Sequence, residues 1–183
     1  METNLLVGGF GGQGVMTLGK FLASATCDST EKNVTFFPSY GAEQRGGTAN
    51  CYVVISDHPV GAPIPDEADD LIVMNEASLH RFIDMLKPGG TLFVNSSIVE
   101  SEPDRMDIHI VKAPVTDLAL KMGNPRVLNI IMLGVYAGYT GVIPEEVVWE
   151  TIARKFAKKP GVLAVNKEAF EKGLAIGRKA AEE

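Results

Sequence analysis

The sequence predicts an α/β fold: a single-domain open sheet, mainly parallel, with helices on both faces and a helical C-terminal part. Three observations predict it. Short apolar runs alternate with helix-spaced segments over the first part of the chain, the pattern of strands joined through helices in a covered parallel sheet. A glycine-rich turn stands between the first apolar run and the first helical stretch. After residue 113 only helical signals follow.

Each element has its own warrant. Residues 4–7 (NLLV) form an apolar run suited to a buried strand. Beyond the glycines, Val15, Leu18, Leu22 and Ala25 recur at helical spacing, and Gly19 on the same stripe would let that helix lie close to a sheet. Residues 33–37 (NVTFF) read as a second strand closed by Pro38, 48–56 as a third and 69–75 as a fourth. A helix is expected over 76–86, stopped by Lys87-Pro88-Gly89-Gly90, then strands over 91–95 and 107–113. Asn124-Pro125 is a cap followed by proline at the first helical position. The apolar stretch 127–143, interrupted by Asn129 and three glycines, falls short of the roughly 20 residues of a membrane span and reads as a buried helix. Pro144, Glu145 and Glu146 open the next helix, and Arg154, Lys155, Lys158 and Lys159 crowd its end, as the helix dipole favours. A last helix is expected over about 166–180.

With 183 residues the chain is expected to form one domain over 1–183. Its net charge of −6 disfavours nucleic acid and anionic membrane as partners, since both need a basic surface. Cys27 and Cys51 have no spacing suited to zinc or an iron–sulfur cluster, and both read as buried small apolar residues. With no basic leader or cleavage site in METNLLVGG, a reducing cytoplasm is the expected location. His58, His80 and His109 do not cluster, so no metal site is expected. Met74, Met85, Met122 and Met132 read as core filler. No Ser-His-Asp or Cys-His ordering assigns a catalytic residue.

The chemistry concentrates in two loops. Gly9-Phe10-Gly11-Gly12-Gln13-Gly14 fits G-x-G-x-x-G between a strand and a helix, the context in which that motif carries meaning. Bare amides at a helix N-terminus point outward, and the dipole favours an anion there. Each charge-assisted bond is worth about 1.5–3 kcal/mol. Gly9, Gly11, Gly12, Gln13 and Gly14 are therefore a candidate anion site in a Rossmann-like sheet. Asn75 and Asn95, ending the fourth and fifth strands, are expected to face the same crevice or to act as caps. A dinucleotide is disfavoured, because the second strand ends Phe36-Phe37-Pro38-Ser39-Tyr40 without the acid that binds ribose, and Glu31 lies at its other end. Gly14 to Lys20 matches G-x-x-x-x-G-K, but Phe21 replaces the hydroxyl residue and the match falls within the expected helix, so a P-loop is rejected. A valine at Gly12 or Gly14 would block approach to the loop and spare the fold, provided neither needs a positive φ.

The second loop carries Tyr40, Glu43, Gln44 and Arg45, with Gly46 and Gly47. It reads either as a surface turn with a local Glu43–Arg45 pair, worth at most about 1 kcal/mol, or as a contact loop beside the glycine turn.

GGFGGQGVMTLGKFLA followed by PSYGAEQRGGTANCYVVIS, and further on DDLIVMNEASLHRF, KPGGTLFVNSS and GNPRVLNIIMLGVY, resembles the gamma subunit of 2-oxoacid:ferredoxin oxidoreductases over most of the chain. The pattern looks most like the 2-oxoglutarate members, and the pyruvate, 2-oxoisovalerate and indolepyruvate branches share much of it. The resemblance implies an accessory subunit of a complex that converts a 2-oxoacid, coenzyme A (CoA) and oxidised ferredoxin to acyl-CoA, CO2 and reduced ferredoxin. It implies thiamine diphosphate, Mg2+ and iron–sulfur clusters on partner subunits, none bound by this chain alone, and ferredoxin reached through the complex. In the fused pyruvate enzymes a similar domain helps enclose the CoA site. Carried over, Gly11, Gly12, Gln13 and Gly14 become candidates for a CoA phosphate or an inter-subunit contact. Tyr40, Glu43, Gln44 and Arg45 become candidates for the subunit interface, with Arg45 as the anion partner because its fork holds two oxygens. The alternative is a free-standing nucleotide- or CoA-binding module, a small dehydrogenase or transferase.

Overall fold

In the computed structural model, which describes residues 1–40 and 47–183, the first strand runs well beyond its apolar core. β1 (Glu2–Phe10) continues through Gly8 and Gly9 because ladders on both sides hold them: Gly8 lies opposite Asn50 and Val73, and Gly9 opposite Ala49. α1 (Val15–Ser29) follows the glycine turn. Gly19 sits where a Cβ would lie 2.6 Å from Cys51 Sγ, which explains how closely α1 approaches the sheet.

The other strands are β2 (Asn33–Tyr40), β3 (Thr48–Ser56), β4 (Ala68–Val73), β5 (Leu86–Asn95) and β6 (His109–Ala113). β4 and β6 differ from their expected ends by one or two residues, while β2 and β5 overturn an expected stop signal. β2 does not close at Pro38: it is an edge strand, where a missing N–H can face away from the ladder, and Pro38 pairs with Cys51. Lys87-Pro88-Gly89-Gly90 ends the helix but belongs to β5, where the register to β4 shifts between Ala68 and Asp70.

The sheet order is β2-β3-β1-β4-β5-β6. β1, β4, β5 and β6 are parallel, while β3 runs against both of its neighbours. The sheet is thus mainly parallel with a single reversed strand.

Period-two alternation divides the side chains between two cores. Leu5, Val7, Val53, Ile72, Phe93 and Val111 face α1, α3 (Val115–Lys121), α4 (Leu128–Thr140), α5 (Glu145–Phe156) and α6 (Pro160–Glu182). Leu6, Leu71, Val73, Leu92 and Val94 face α2 (Glu76–Phe82), through Leu79 and Phe82. Helices cover both faces, but very unevenly. α2 is shorter than expected and ends in a 3-10 turn over Ile83–Met85. α3 has no counterpart in the sequence reading, and α6 begins six residues before the expected start, with Pro160 in its first turn.

α4 is the buried helix anticipated from the apolar stretch, with Ile130 through Ala137 all buried. It packs backbone to backbone on α6: a Cβ on Gly173 would strike the Ile131 carbonyl oxygen, and one on Gly138 would lie 2.7 Å from the Leu174 carbonyl oxygen. Under the sheet, Tyr136 donates its hydroxyl to Asp70 Oδ2 (3.0 Å). Cys51 is buried as expected, but Cys27 is exposed on α1. Among the described residues no helix is long and apolar enough to cross a membrane.

Candidate functional site

The reversed strand decides what meets at the rim of the sheet. β1 and β2 end there, at Phe10 and Tyr40, and β3 begins there, with Thr48 opposite Phe10 and Ala49 opposite Tyr40. The glycine turn and the facing ends of β2 and β3 therefore share one edge. Their main chains touch: the Gly11 N–H donates to the Gly47 carbonyl oxygen (3.1 Å). Tyr40 is 71% exposed and Gly47 is buried. Glu43, Gln44, Arg45 and Gly46 lie outside the described residues.

The turn itself is open. Gly11 and Gly12 are exposed, and a Cβ on Gly12 would meet nothing within 4 Å. Gly12 has φ +98° and Gly14 φ +74°, a conformation that costs an L side chain about 1–2 kcal/mol. The expectation that valine at either position would spare the fold does not hold. Gly14 caps α1 with no side-chain hydrogen bond, so the helix N-terminus keeps its outward N–H groups and partial positive charge.

Behind the opening lies a set of engaged amides. Gln13 Oε1 accepts from the Phe10 N–H (2.8 Å) and from Asn75 Nδ2 (2.9 Å). Gln13 Nε2 donates to the Met74 carbonyl oxygen (2.9 Å). Gly9 is buried in β1, where a Cβ would come within 2.9 Å of Gln13 Oε1. Asn75 accepts the Ser78 N–H (2.9 Å) and so caps α2. Asn95 is fully buried, and its Nδ2 donates to the Met74 carbonyl oxygen (3.2 Å) and to Thr116 Oγ1 (2.9 Å). Both asparagines come to the rim as expected, with their amides turned to protein partners.

Sequence reasoning missed Asn129 and Thr116. Asn129 lies directly beneath Gly14, and its Nδ2 donates to the Gly14 carbonyl oxygen (3.4 Å). The one signal available was its interruption of the apolar stretch.

The geometry also bears on the rejected motifs. Beside β1 at the rim stands the start of β3, Thr48-Ala49-Asn50, where a dinucleotide site would have an acid at the end of a parallel neighbour. Lys20 lies within α1, not in a phosphate-cradling loop. No group of three metal-ligating side chains occurs among the described residues. Burial pushes the Cys51 thiol up to about 12, which leaves it protonated and unreactive.

Residues 4–176 match the family described as pyruvate ferredoxin/flavodoxin oxidoreductase. The chain belongs to that family. This family member is 37% identical to ketoisovalerate oxidoreductase subunit VorA of Methanothermobacter thermautotrophicus over 97% of its own length, but spans only 37% of that relative. It is 31% identical to 2-oxoglutarate synthase subunit KorC of Methanocaldococcus jannaschii, with 97% of this chain and 95% of the relative covered. Among solved structures, the keto/oxoacid ferredoxin oxidoreductase gamma subunit of Geobacter sulfurreducens superposes with a TM-score of 0.87 at 26% identity, over 98% of each chain. The 2-oxoglutarate:ferredoxin oxidoreductase of Magnetococcus marinus, described with 2-oxoglutarate, coenzyme A and succinyl-CoA bound, matches 97% of this chain and 31% of its own, with a TM-score of 0.89 at 29% identity.

Proposed function

We propose that this chain is the gamma-type subunit of a cytoplasmic 2-oxoacid:ferredoxin oxidoreductase, with 2-oxoglutarate as the 2-oxoacid. One observation carries the reading: the likeness to the KorC subunit extends over nearly the full length of both chains. The longer VorA relative supports a second reading in which 2-oxoisovalerate is the substrate, at higher identity but over a fraction of that protein.

The donor set of this chain does not fit an iron–sulfur cluster. Such a cluster needs four cysteine or histidine ligands brought together, whereas the two cysteines lie apart, one exposed on α1 and one buried in β3, and no three metal-ligating side chains meet among the described residues. In this reading both electron transfer and thiamine chemistry belong to the partner subunits. What this chain offers is main chain: the exposed glycine turn at the positive end of α1, suited to a phosphate group of CoA or to an acidic group on a partner subunit.

The test is reconstitution. Co-expressed with its larger partners, the chain should purify as a complex that reduces a viologen dye with CoA and 2-oxoglutarate, and faster than with 2-oxoisovalerate or pyruvate. The chain alone should do neither. Dye reduction by the isolated chain, or tight NAD binding by it, would instead support the free-standing module. Preference for 2-oxoisovalerate would select the second reading.

A further inference from the structure

Gln13 is the only long polar side chain in the glycine turn, which makes it the obvious ligand contact. The hydrogen bonds say otherwise. Its carbonyl oxygen already accepts two N–H groups, from Phe10 and Asn75, and its amide already donates to the Met74 carbonyl. All three bonds point back into the sheet, toward the ends of β1 and β4.

We infer that Gln13 is a positioning residue: it braces the turn so that the Gly11–Gly14 main chain keeps a binding-competent shape, and it does not itself touch the ligand. This deepens the reading of the turn as a CoA phosphate site and rests on it.

Two further observations support the brace. Gly9, the first glycine of the motif, is buried at the turn-proximal end of β1, and the space its missing Cβ leaves is occupied by Gln13 Oε1 and Val15. The motif's first glycine thus makes room for the brace. On the far side of the turn, Gly14 rests on Asn129, so the loop is held at both ends. Between these supports Gly12 has open space around it and a left-handed φ that glycine adopts without strain.

The test uses the assembled complex. Gln13→Ala removes the brace, and Gly9→Ala retains the glutamine but sets a methyl group against its Oε1 and against Val15. In both variants, without CoA, exchange of the Gly11 and Gln13 amides, which are bonded to the Gly47 and Phe10 carbonyls, should quicken by about tenfold, the effect of losing about 1.4 kcal/mol of local hydrogen bonding. The KM for CoA should rise by a similar factor, while kcat and the KM for the 2-oxoacid stay close to wild type. Unchanged exchange in Gln13→Ala would overturn the inference, as would a raised KM in Gln13→Ala with a normal one in Gly9→Ala, the pattern of a direct contact. If either variant fails to assemble, Gln13→Glu keeps both accepted bonds but sets an oxygen against the Met74 carbonyl in place of the donor, and normal exchange there, with a normal KM, would likewise refute bracing. Quickened exchange with an unaltered KM for CoA leaves the brace standing and removes CoA from the proposed function.

Discussion

Asp70 permits a prediction whose size follows from the structure. It lies in β4 beneath the sheet, 8% exposed, and accepts a hydrogen bond from the fully buried Tyr136. Burial raises its carboxyl from the ordinary 3.8 to about 6; the tyrosine bond opposes that rise and the neighbouring Asp69 adds slightly to it. Tyr136 is itself pushed well above its usual value by burial and by Asp70, so the shared proton stays on the phenol. A carboxyl easier to protonate in the fold than in the unfolded chain stabilises the protein below pH 3.8, and that stability is lost as pH rises through about 6. At 1.36 kcal/mol per tenfold change in acidity, the loss is about 3 kcal/mol. Asp70→Asn keeps an oxygen for Tyr136 and removes the charge. The 390 Å3 recess beside it, lined by Asp69, Lys87, Thr91 and Thr140, gives the new amide polar neighbours. Urea unfolding followed by Trp149 fluorescence should therefore show the variant more stable than wild type at pH 8, by about 1–3 kcal/mol, with the gain vanishing near pH 4. A variant less stable than wild type at pH 8, or one whose advantage is the same at both pH values, would refute this account of the buried carboxylate.

Two other perturbations concern glycines. Gly173→Ala forces a methyl group into the Ile131 carbonyl and should lower the Tm by about 6–12 °C, corresponding to about 3 kcal/mol of overpacking, while Gly161→Ala in the same helix meets nothing within 4 Å and should leave Tm close to wild type. Gly12→Ala and Gly14→Ala should each cost about 1–2 kcal/mol for the left-handed backbone, with Gly14→Ala the worse in denaturant titration because its methyl group meets Asn129.

The strands were legible in the sequence wherever burial alternates cleanly, and β3 appears with the expected boundaries, Thr48–Ser56. Two misread strand boundaries share a cause. Pro38 and Gly89-Gly90 look like stop signals, yet both lie in strands: one on an edge where a ladder bond is dispensable, the other at a register shift. α3 escaped because seven residues behind Pro114, with no side-chain cap, are too short for a period to emerge. The direction of β3 was within reach, since seven residues cannot hold the crossover that parallel neighbours require. At the rim, the glycine turn announced itself, but the inward aim of Gln13 did not, because a motif gives composition and not orientation. Asn129 approaches the turn from 115 residues away, a distance over which local pattern says nothing. Cys27 was misjudged because a small residue fits either side of a helix.

Among the described residues, β1 is the strand that joins the antiparallel pair β2 and β3 to the β4-β5-β6 block. It is a seam, and the glycine turn is stitched to its open end. Whatever settles on that turn grips both halves of the sheet at once, so occupancy should tighten the whole molecule against unfolding and not merely quiet a loop.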